Sequence, residues 1–396
     1  MRFPDHARRA RLARRHALHP DHRLDDPVAV TRAMTVLHAT EPPSVHLAIA
    51  ARSKGVGVAD VERALYEDRT VVKQLAMRRT LFAAPRDLLP ALLGGPAARV
   101  AQQQRAQVAK DVERHAVAAD GAAWLDRACA AVLERLSTGE GLGARQLREE
   151  LPELAGQTTP GPGARPWDVP VNFAPRVLTV LGAEGLIVRG TNDGHWRTSR
   201  PTWTRMERWL GVRPEPLDVR PAYAEVVGRY LATFGPATEA DIVWWLGSTK
   251  AAVRTALVDV DAVAVELDSG ATGFVLPGDE AADDDTDPGP WAALTPVLDP
   301  TVMGWKERGF YLDPAFVPYL FDTNGNAGST AWLDGRIVGC WVQDAAARVS
   351  VVPTARLGAR DRARLAVEAK RLTDFLDGVV ISSVYKSQQM KGELLP

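Results

Sequence analysis

A short polar stretch, His38-Ala39-Thr40-Glu41-Pro42-Pro43, holds the residues of this sequence whose types and spacing are best suited to chemistry. An apolar run with helical periodicity precedes it at residues 28–37, and a new helix is predicted over residues 44–51. The two prolines prevent the first helix from continuing and favour extended backbone before them. Because alternate side chains of an extended chain point the same way, His38 and Thr40 are expected to share a face at a helix junction.

Such a pair is able to activate a water molecule. A neutral imidazole accepts a proton from water, and the ordinary histidine pKa of about 6.5 makes that form abundant at neutral pH. Thr40 could hold the same water, and Glu41 could supply negative charge. The spacing is equally compatible with helix capping, in which His38 ends one helix, Thr40 begins the next and Glu41 is an exposed capping residue. Spacing alone leaves both interpretations open.

Other chemistries lack their signatures in this sequence. It contains no phosphate-binding Walker loop, no strand-led glycine fingerprint, no His-Glu-x-x-His and no serine nucleophile elbow. Its only cysteines, Cys129 and Cys340, allow at most one disulfide and cannot build a four-thiolate zinc site or an iron–sulfur cluster. No run approaches about 18 uninterrupted apolar residues, and the arginine-rich N-terminus lacks a signal-peptide pattern. We therefore expect a cytoplasmic protein without a metal or cofactor.

Charge is unevenly distributed along the chain. The 48 Lys and Arg nearly balance the 49 Asp and Glu, so nucleic-acid binding would require a local basic region. Residues 1–54 provide one, with ten Lys and Arg against five acids and six of the eight histidines. His16, His19 and His22 recur there every third residue, but a proline breaks any shared helix face, so a solvated or DNA-facing cluster is expected rather than a metal site. The acidic segment 279–290 is predicted to be a linker.

A weak internal repeat organises most of the chain. Residues 57–65, 142–151 and 235–246 each open with Gly and a small residue and continue as a short amphipathic helix. A second helical segment follows each one, and then an extended segment, predicted over residues 77–82, 186–199 and 262–276. The last two contain turn residues, Asn192-Asp193-Gly194 and Ser269-Gly270. Helix, helix, hairpin is the order of a winged-helix module, although such units also serve as structural or protein-binding modules.

The C-terminal part has a different pattern. Strands are predicted over residues 329–333, 336–343 and 349–352, followed by a helix over 359–376 and a last strand over 379–385. This resembles a small β-barrel or β-rich cap with one helix. The predicted fold class is α+β, with three tandem winged-helix modules and a C-terminal β-barrel-like domain. The predicted domains are 1–98 (basic helices and first winged helix), 99–215 (helical bridge and second winged helix), 216–284 (third winged helix) and 285–396 (β-barrel with a helix).

Three segments make this chain similar to a known family, the winged-helix DNA glycosylases of the AlkZ and YcaQ type. The family motif is Gln-x-Gln or Gln-x-Asp, then one residue and a proline, and His38 to Pro42 match that frame with His38 and Thr40 at the two polar positions. Residues 298–308 resemble the family's Asp-to-Arg segment, and residues 335–341 resemble its Gly-x-x-x-Gly-x-Trp strand. The chain departs from the family in lacking both glutamines.

The resemblance implies a monomeric DNA glycosylase that excises alkylated, cationic purines, including bulky adducts or crosslinks, from double-stranded DNA. The family's catalytic positions correspond to His38 and Thr40, with Glu41 beside them. An N7-alkylated purine is already a good leaving group, so the protein must add a positioned water and electrostatic support for an oxocarbenium-like sugar. The alternative is a non-catalytic DNA-binding regulator or lesion sensor; a protein-interaction scaffold would lack DNA affinity.

Candidate DNA contacts follow from basic residues at predicted surface positions. They are Arg14 and Arg15 of the N-terminal helix, Arg78 and Arg79 of the first extended segment, His195 and Arg197 of the second hairpin, and, by resemblance, Lys306 and Arg308. Solvated faces or internal ion pairs are the alternative for these cations. The neighbouring Trp196 is expected to anchor the hairpin in the core.

Overall fold

The computed structural model describes residues 1–159, 169–280 and 288–392. Its α-helices are α1 (Asp5–Arg14), α2 (Pro27–Ala33), α3 (Pro42–Arg52), α4 (Val58–Glu62), α5 (Leu89–Gly94), α6 (Pro96–Arg114), α7 (Gly121–Arg135), α8 (Ala144–Glu150), α9 (Ala174–Ala183), α10 (Met206–Leu210), α11 (Val219–Phe234), α12 (Glu239–Leu246), α13 (Lys250–Asp259), α14 (Val317–Leu320) and α15 (Ala359–Leu376). Its strands are β1 (Arg2–Phe3), β2 (Leu37–His38), β3 (Val71–Leu75), β4 (Leu81–Pro85), β5 (Ile187–Asn192), β6 (Pro201–Arg205), β7 (Ala237–Thr238), β8 (Val263–Leu267), β9 (Thr272–Val275), β10 (Ala292–Thr295), β11 (Thr330–Leu333), β12 (Arg336–Gln343) and β13 (Val349–Pro353).

The chain forms two compact units. The first contains the described residues of 1–72, 82–86 and 223–396, and the second those of 73–81 and 87–222. The division into four domains stays a prediction. Most of the predicted acidic linker, residues 281–287, lies outside the described residues. None of the helices that the structure describes is long and apolar enough to cross a bilayer.

The C-terminal strands of the first unit form an open antiparallel sheet in the order β10-β11-β12-β13. The prediction of a barrel is wrong, because the outer strands β10 and β13 do not pair with each other within the described residues. Helix α15, which was predicted with its observed bounds, contacts β10, β11 and β13 through an apolar face containing Leu365 and Leu372. A single helix covering one face stabilises a sheet without closing it.

The last predicted strand, over residues 379–385, is also wrong. Gln343 of β12 takes the place of a neighbouring strand, because its amide group donates to the Val379 carbonyl (3.0 Å) and accepts from the Ile381 N–H (2.9 Å). One side chain thus satisfies backbone groups that a ladder would otherwise pair. The segment is irregular and reaches the start of α3, where the Val384 N–H donates to Glu41.

The third repeat has the predicted order of helix, helix and hairpin. Thr238 and Asp241 form a capping box at the start of α12. Helix α13 follows, and β8 and β9 pair antiparallel around the predicted turn, where Gly270 adopts a φ of +78°. Strand β1 adds to β8 in parallel, so the sheet order is β1-β8-β9-β7. The N-terminus therefore completes the sheet of a module located more than 200 residues later.

The second repeat forms α8, α9 and the hairpin β5–β6 in the second unit, over a core that includes Trp124, Phe173 and Trp203. The predicted extended segment ended at residue 199, whereas β6 begins at Pro201. Residues 193–200 form a loop closed by the Asp193 N–H on the Arg200 carbonyl (2.8 Å). The turn residues were recognised correctly, but they open a longer loop than a two-residue hairpin.

The first repeat departs most from the prediction. After α4 the chain makes a π-helical turn at Arg63–Glu67 and enters β3, without a second α-helix in this described stretch. Residues 77–79, which were predicted to be extended, form a tight turn between β3 and β4. The sheet order is β2-β4-β3. The number of winged-helix modules therefore stays a prediction, and the coarser assignment, a mixed helix-and-sheet fold, is what the structure shows.

Candidate active site

The polar junction lies between α2 and α3 in the first unit. Helix α2 ends at Ala33, earlier than predicted, and β2 then pairs antiparallel with β4, with His38 opposite Phe82. Helix α3 begins at Pro42 rather than near Ser44. Proline suits the first helical turn, because its φ is already helical and the N–H it lacks would have no partner there. The prolines therefore start the second helix as well as ending the extended segment.

His38 and Thr40 lie in different environments. The His38 side chain is buried, with 5% of its surface exposed, and its ring lies 4.8 Å from the Phe82 ring centroid. Thr40 is exposed. It is not the capping residue of α3, since Glu41 occupies that position. Of the pair, Thr40 is therefore the residue that solvent reaches directly, whereas the His38 ring is enclosed and packs against Phe82.

Glu41 is buried and not the exposed capping residue considered above. Its side chain is 8% exposed and makes no capping bond to α3 among the described residues. Oε1 accepts the Val384 backbone N–H at 2.8 Å, whereas Oε2 has no hydrogen-bond partner in the part of the chain that the structure describes. Burial raises the pKa of this carboxyl, and the Ser383 hydroxyl and then the Val384 N–H oppose the shift.

A cavity of about 140 Å³ adjoins this carboxylate. The start of α3, strand β12 and the irregular segment after α15 form its walls. Its polar lining comes from Glu41, Ser44, Ser329, Gln343, Ser383 and Lys386, and its apolar lining includes Leu47 and Trp341. All of these residues belong to the first unit. Glu41 and the C-terminal sheet thus line one recess, which His38 and Thr40 do not line.

Helix α3, which follows the motif directly, is fixed at both ends. Near its start the Ser44 hydroxyl donates to the Val297 carbonyl (3.1 Å). At its last residue, Arg52 makes two hydrogen bonds of 2.8 and 2.7 Å to Asp299, and both side chains are fully buried. Arg52 also donates to Thr301 (2.8 Å). The segment 298–308 therefore anchors the helix that positions the junction.

His16 extends this buried network. Its Nδ1 lies 2.8 Å from the Thr301 hydroxyl and its Nε2 3.1 Å from the Thr233 carbonyl. Because a carbonyl only accepts, Nε2 carries the proton and Nδ1 accepts from Thr301. Burial, followed by the charge of Arg52, lowers the pKa of His16 to about 3. The expectation of a solvated or DNA-facing cluster is wrong for His16, which has a structural role.

The third segment, residues 335–341, lies on β12. A Cβ at Gly339 would meet the Val352 carbonyl oxygen at 2.2 Å, so only glycine allows this close strand pairing. Trp341 donates from its indole N–H to the Thr295 carbonyl (2.8 Å) and borders the cavity beside Glu41. The three segments of the resemblance therefore converge around α3.

The family model described as DNA glycosylase AlkZ-like matches residues 31–375, a span that contains all three segments. The chain belongs to the AlkZ-like DNA glycosylase family. The family predicted from the sequence is confirmed, and with it the assignment to DNA-binding proteins of DNA repair. Curated proteins provide no match to this sequence.

A solved structure shares the fold of this AlkZ-like chain. The Streptomyces sahachiroi DNA glycosylase AlkZ superimposes with a TM-score of 0.73 over 94% of this chain and 98% of that chain. The two sequences are 20% identical. At that identity the match shows a common fold, and the details of the site must be argued from this chain's own residues.

The predicted DNA-contact residues of the AlkZ-like chain differ in their exposure and in the partners they already have. Arg14 is half-buried, and Arg15 pairs with Asp279 through a 2.9 Å hydrogen bond. Lys306 is exposed, whereas the Arg308 guanidinium lies over the Phe321 ring at 4.6 Å. The alternative of an internal ion pair therefore applies to Arg15. Arg308 contacts aromatic rings and donates from Nε to the Val302 carbonyl (3.3 Å).

Two turns of the second unit carry predicted DNA-contact residues. Arg78 and Arg79 occupy the turn between β3 and β4 with φ angles of +53° and +58°, which are uncommon for residues other than glycine. Arg79 is exposed, as are His195 and Arg197 in the loop of the β5–β6 hairpin. Trp196 is buried, as predicted.

Sequence reasoning missed the residues that support the site. Arg52 was counted only as part of a basic region, although a single arginine at the end of an otherwise apolar helix is a signal for a buried ion pair. Its partner Asp299 lay in a recognised segment but had no role assigned. The partners lie 247 positions apart, a separation that no local pattern reports.

Proposed function

We propose that this AlkZ-like protein is a monofunctional DNA glycosylase for N7-alkylated, cationic purines in double-stranded DNA, including bulky adducts and interstrand crosslinks. It would serve DNA repair or self-resistance in the cytoplasm, as a monomer and without a cofactor. The observation that carries the proposal is the convergence of the three family segments on α3, with exposed Thr40 and buried Glu41 at the start of that helix.

Cleavage of the glycosidic bond of such a purine requires few catalytic groups. The alkylated base is a cationic leaving group, so its departure needs no protonation, and the deoxyribose becomes oxocarbenium-like. Thr40 orients the attacking water, His38 accepts the proton that this water loses, and Glu41 supplies negative charge. Both ring nitrogens of His38 are buried in this structure, so this role requires the water held by Thr40 to reach the imidazole when DNA is bound.

Binding to undamaged backbone is proposed to come from the exposed side chains of Arg79, His195, Arg197 and Lys306. Arg14, Arg78 and Arg308 are more enclosed candidates, whereas Arg15 is held by Asp279. Because the total charge is nearly neutral, the phosphate contacts depend on these local basic side chains. Affinity should therefore be moderate and should fall steeply with salt.

The test uses a duplex with one N7-methylguanine, incubated with protein under single-turnover conditions and then heated in alkali, which breaks the strand at abasic sites. We expect breaks only after the alkaline step. His38→Ala should lower the rate about 10²-fold or more, and Thr40→Ala should also lower it. Thr272→Ala, which changes an exposed threonine of β9, is the matched control.

Binding measured on the same duplex separates the alternatives. Tight binding of the duplex by the wild type without strand breaks would contradict the glycosylase proposal and favour a non-catalytic lesion sensor. If strand breaks form at the wild-type rate in both His38→Ala and Thr40→Ala, the protein is a glycosylase but its active site is not at this junction.

A further inference from the structure

A cavity of about 300 Å³ lies at the C-terminal end of α3, opposite the end that carries the polar junction. Three cations, Arg23, Lys54 and Arg371, line it, and none of the described residues in its lining is acidic. All of the lining residues belong to the first unit. The walls of this cavity therefore have a surplus of positive charge, although the whole chain is nearly neutral.

Two of these cations share one buried acid. Arg23 Nη2 donates to Glu368 Oε2 at 2.7 Å, and Arg371 Nε donates to the same oxygen at 2.9 Å. Glu368 is 4% exposed and does not line the cavity. One carboxylate balances only one of the two guanidinium charges, so a further anion would be bound favourably here.

Lys54 and Arg371 have donors left for a ligand. Lys54 is exposed, and its Nζ donates to the Asp21 carbonyl at 3.3 Å, a contact that uses one of its three N–H groups. The Arg371 side chain is 30% exposed. Its Nη1 donates to the Ala50 carbonyl (2.7 Å) and its Nη2 lies 2.9 Å from Glu368, so each of these nitrogens retains a second N–H. The two side chains can thus donate charge-assisted hydrogen bonds to one anion.

The negative groups beside the cavity do not cancel this charge. The last carbonyl groups of a helix carry partial negative charge and would repel an anion. At this end of α3, however, the Ala50 carbonyl accepts from Arg371, and the Arg52 carbonyl accepts from the Leu24 N–H at 2.9 Å. The carboxylate of Asp21 is 86% exposed and does not line the cavity.

We propose that this cavity binds one phosphate group of the DNA backbone, with Lys54 and Arg371 as its donors and Arg23 as an enclosed third charge. The chain belongs to a family of DNA glycosylases, so DNA is the polyanion that it binds. Contacts to the backbone fix the register of a protein on a duplex. The position of this phosphate relative to a damaged base rests on the proposed function, whereas the phosphate contact itself does not.

Helix α3 sets the distance between this phosphate and the junction. The helix runs over 11 residues, Pro42–Arg52, so its ends lie about 15 Å apart. Phosphates of one strand follow one another about every 3.4 Å along the duplex axis, which makes this distance roughly four base pairs. A duplex that follows α3 with its damaged base at Thr40 would place a phosphate in the cavity roughly four base pairs away.

The first experiment measures binding of the full chain to an undamaged duplex at several salt concentrations. Lys54→Ala and Arg371→Met should each lower the slope of log affinity against log salt. The double variant should lower it by about 0.9 in total, because both side chains contact the same phosphate. Lys54→Arg keeps the charge and should keep the wild-type slope. Lys370→Ala is the control and should leave the slope unchanged, since Lys370 precedes Arg371 on α15 but pairs with Asp374 (2.7 Å).

Arg371→Met leaves Arg23 and Glu368 as a one-to-one ion pair, so this variant should fold, and urea unfolding checks that it does. If it does not fold, Lys54→Ala decides alone, because Lys54 is exposed. Unchanged slopes in the folded variants would overturn the proposal. A loss of about 1.8 in the double variant would also overturn it, because two separate phosphates would then be contacted.

Free phosphate is the other source of the same chemistry. Thermal unfolding of the wild type and of Lys54→Ala in sodium phosphate and in sodium chloride of equal ionic strength separates it from DNA. We expect the two salts to change the Tm of the two proteins equally. A gain in Tm that requires both phosphate and Lys54, with duplex slopes unchanged in the variants, would assign the cavity to free phosphate and overturn the proposal.

The register is tested with duplexes that carry one N7-methylguanine and one uncharged methylphosphonate linkage at increasing distance from it. Excision by the wild type at limiting protein should slow most when the uncharged linkage lies roughly four base pairs from the lesion, and Lys54→Ala should not respond to that substitution. Equal responses of the two proteins at every position would overturn the register. If the wild type excises nothing, the proposed function fails, while the salt slopes on undamaged duplex still decide whether the cavity binds a phosphate.

Discussion

The basic N-terminal region and the turns of the second unit use the same residue types in opposite ways. In residues 1–54, Arg11 and Arg15 pair with Asp279, and Arg8 lies 3.6 Å over the Phe310 ring. In the turns, Arg79 and Arg197 are exposed. A high local count of arginines therefore marks, in the first region, the places where α1 is tied to distant parts of its unit.

The difference teaches that charge density along a chain does not measure charge at the surface. Arginine carries a long apolar stem and a planar donor group, so it serves buried ion pairs as readily as phosphate contacts. The folded chain decides between these uses by bringing an acid or an aromatic ring to the same place. Four predictions separate the structural cations from the exposed ones.

The largest effect is expected at the fully buried pair. Arg52→Met leaves Asp299 without its partner, and the free energy of unfolding should fall by about 3–5 kcal/mol in urea titrations. Arg52→Met combined with Asp299→Leu removes both charges and should recover part of this loss. A double variant no more stable than the single one would contradict the ion-pair explanation.

A smaller loss is expected on α1. Arg11 donates to Asp279 and to the Gly235 carbonyl (2.9 Å), so Arg11→Met should lower the free energy of unfolding by about 2 kcal/mol. Arg2→Met is the control, because Arg2 is exposed in its ion pair with Asp268. Its loss should stay below about 1 kcal/mol. Equal losses of stability in Arg11→Met and Arg2→Met would show that burial does not determine how much each arginine contributes.

The third prediction concerns pH. Burial lowers the pKa of His16 to about 3 from the ordinary 6.5, so between these values the unfolded chain binds a proton that the folded chain does not. Stability should therefore be complete above pH 6.5 and be lost as pH falls, at about 1.4 kcal/mol per unit from this group. His16→Gln should have a shallower dependence between pH 6 and 5 in thermal unfolding. His195→Gln, at an exposed turn, is the matched substitution; an unchanged slope in His16→Gln would refute the assignment.

The smallest energetic effect, and the most specific to function, is expected at the turns. Arg79→Ala and Arg197→Ala should each reduce the slope of log affinity against log salt by about 0.9, with the free energy of unfolding changed by less than about 0.5 kcal/mol. Duplex titrations at several salt concentrations measure the slope. Arg15→Ala should leave the slope nearly unchanged, because the charge of Arg15 is already paired. A reduced slope in Arg15→Ala with unchanged slopes in Arg79→Ala and Arg197→Ala would show that the N-terminal region, and not the turns, contacts the phosphates.

Local patterns account for much of the fold. The period of residues 359–376 predicts α15 with its observed bounds, Ser269-Gly270 predicts the β8–β9 turn, and residues 336–343 are a strand as expected. Each depends on periodicity or turn chemistry within a few neighbouring residues. The barrel and the last strand failed because closure and strand pairing depend on distant partners, here α15 and the Gln343 side chain.

The sequence by itself determined the family, the polar junction at His38 and Thr40, and the presence of a helix after the two prolines, because motif spacing and proline chemistry are local. Only the tertiary structure decided that Glu41 is buried beside a cavity, that Arg52 holds Asp299 and that Arg79 is exposed. Burial and ion pairing depend on contacts between residues that lie hundreds of positions apart in the sequence. These contacts, and the energies they contribute, exist only in the folded chain.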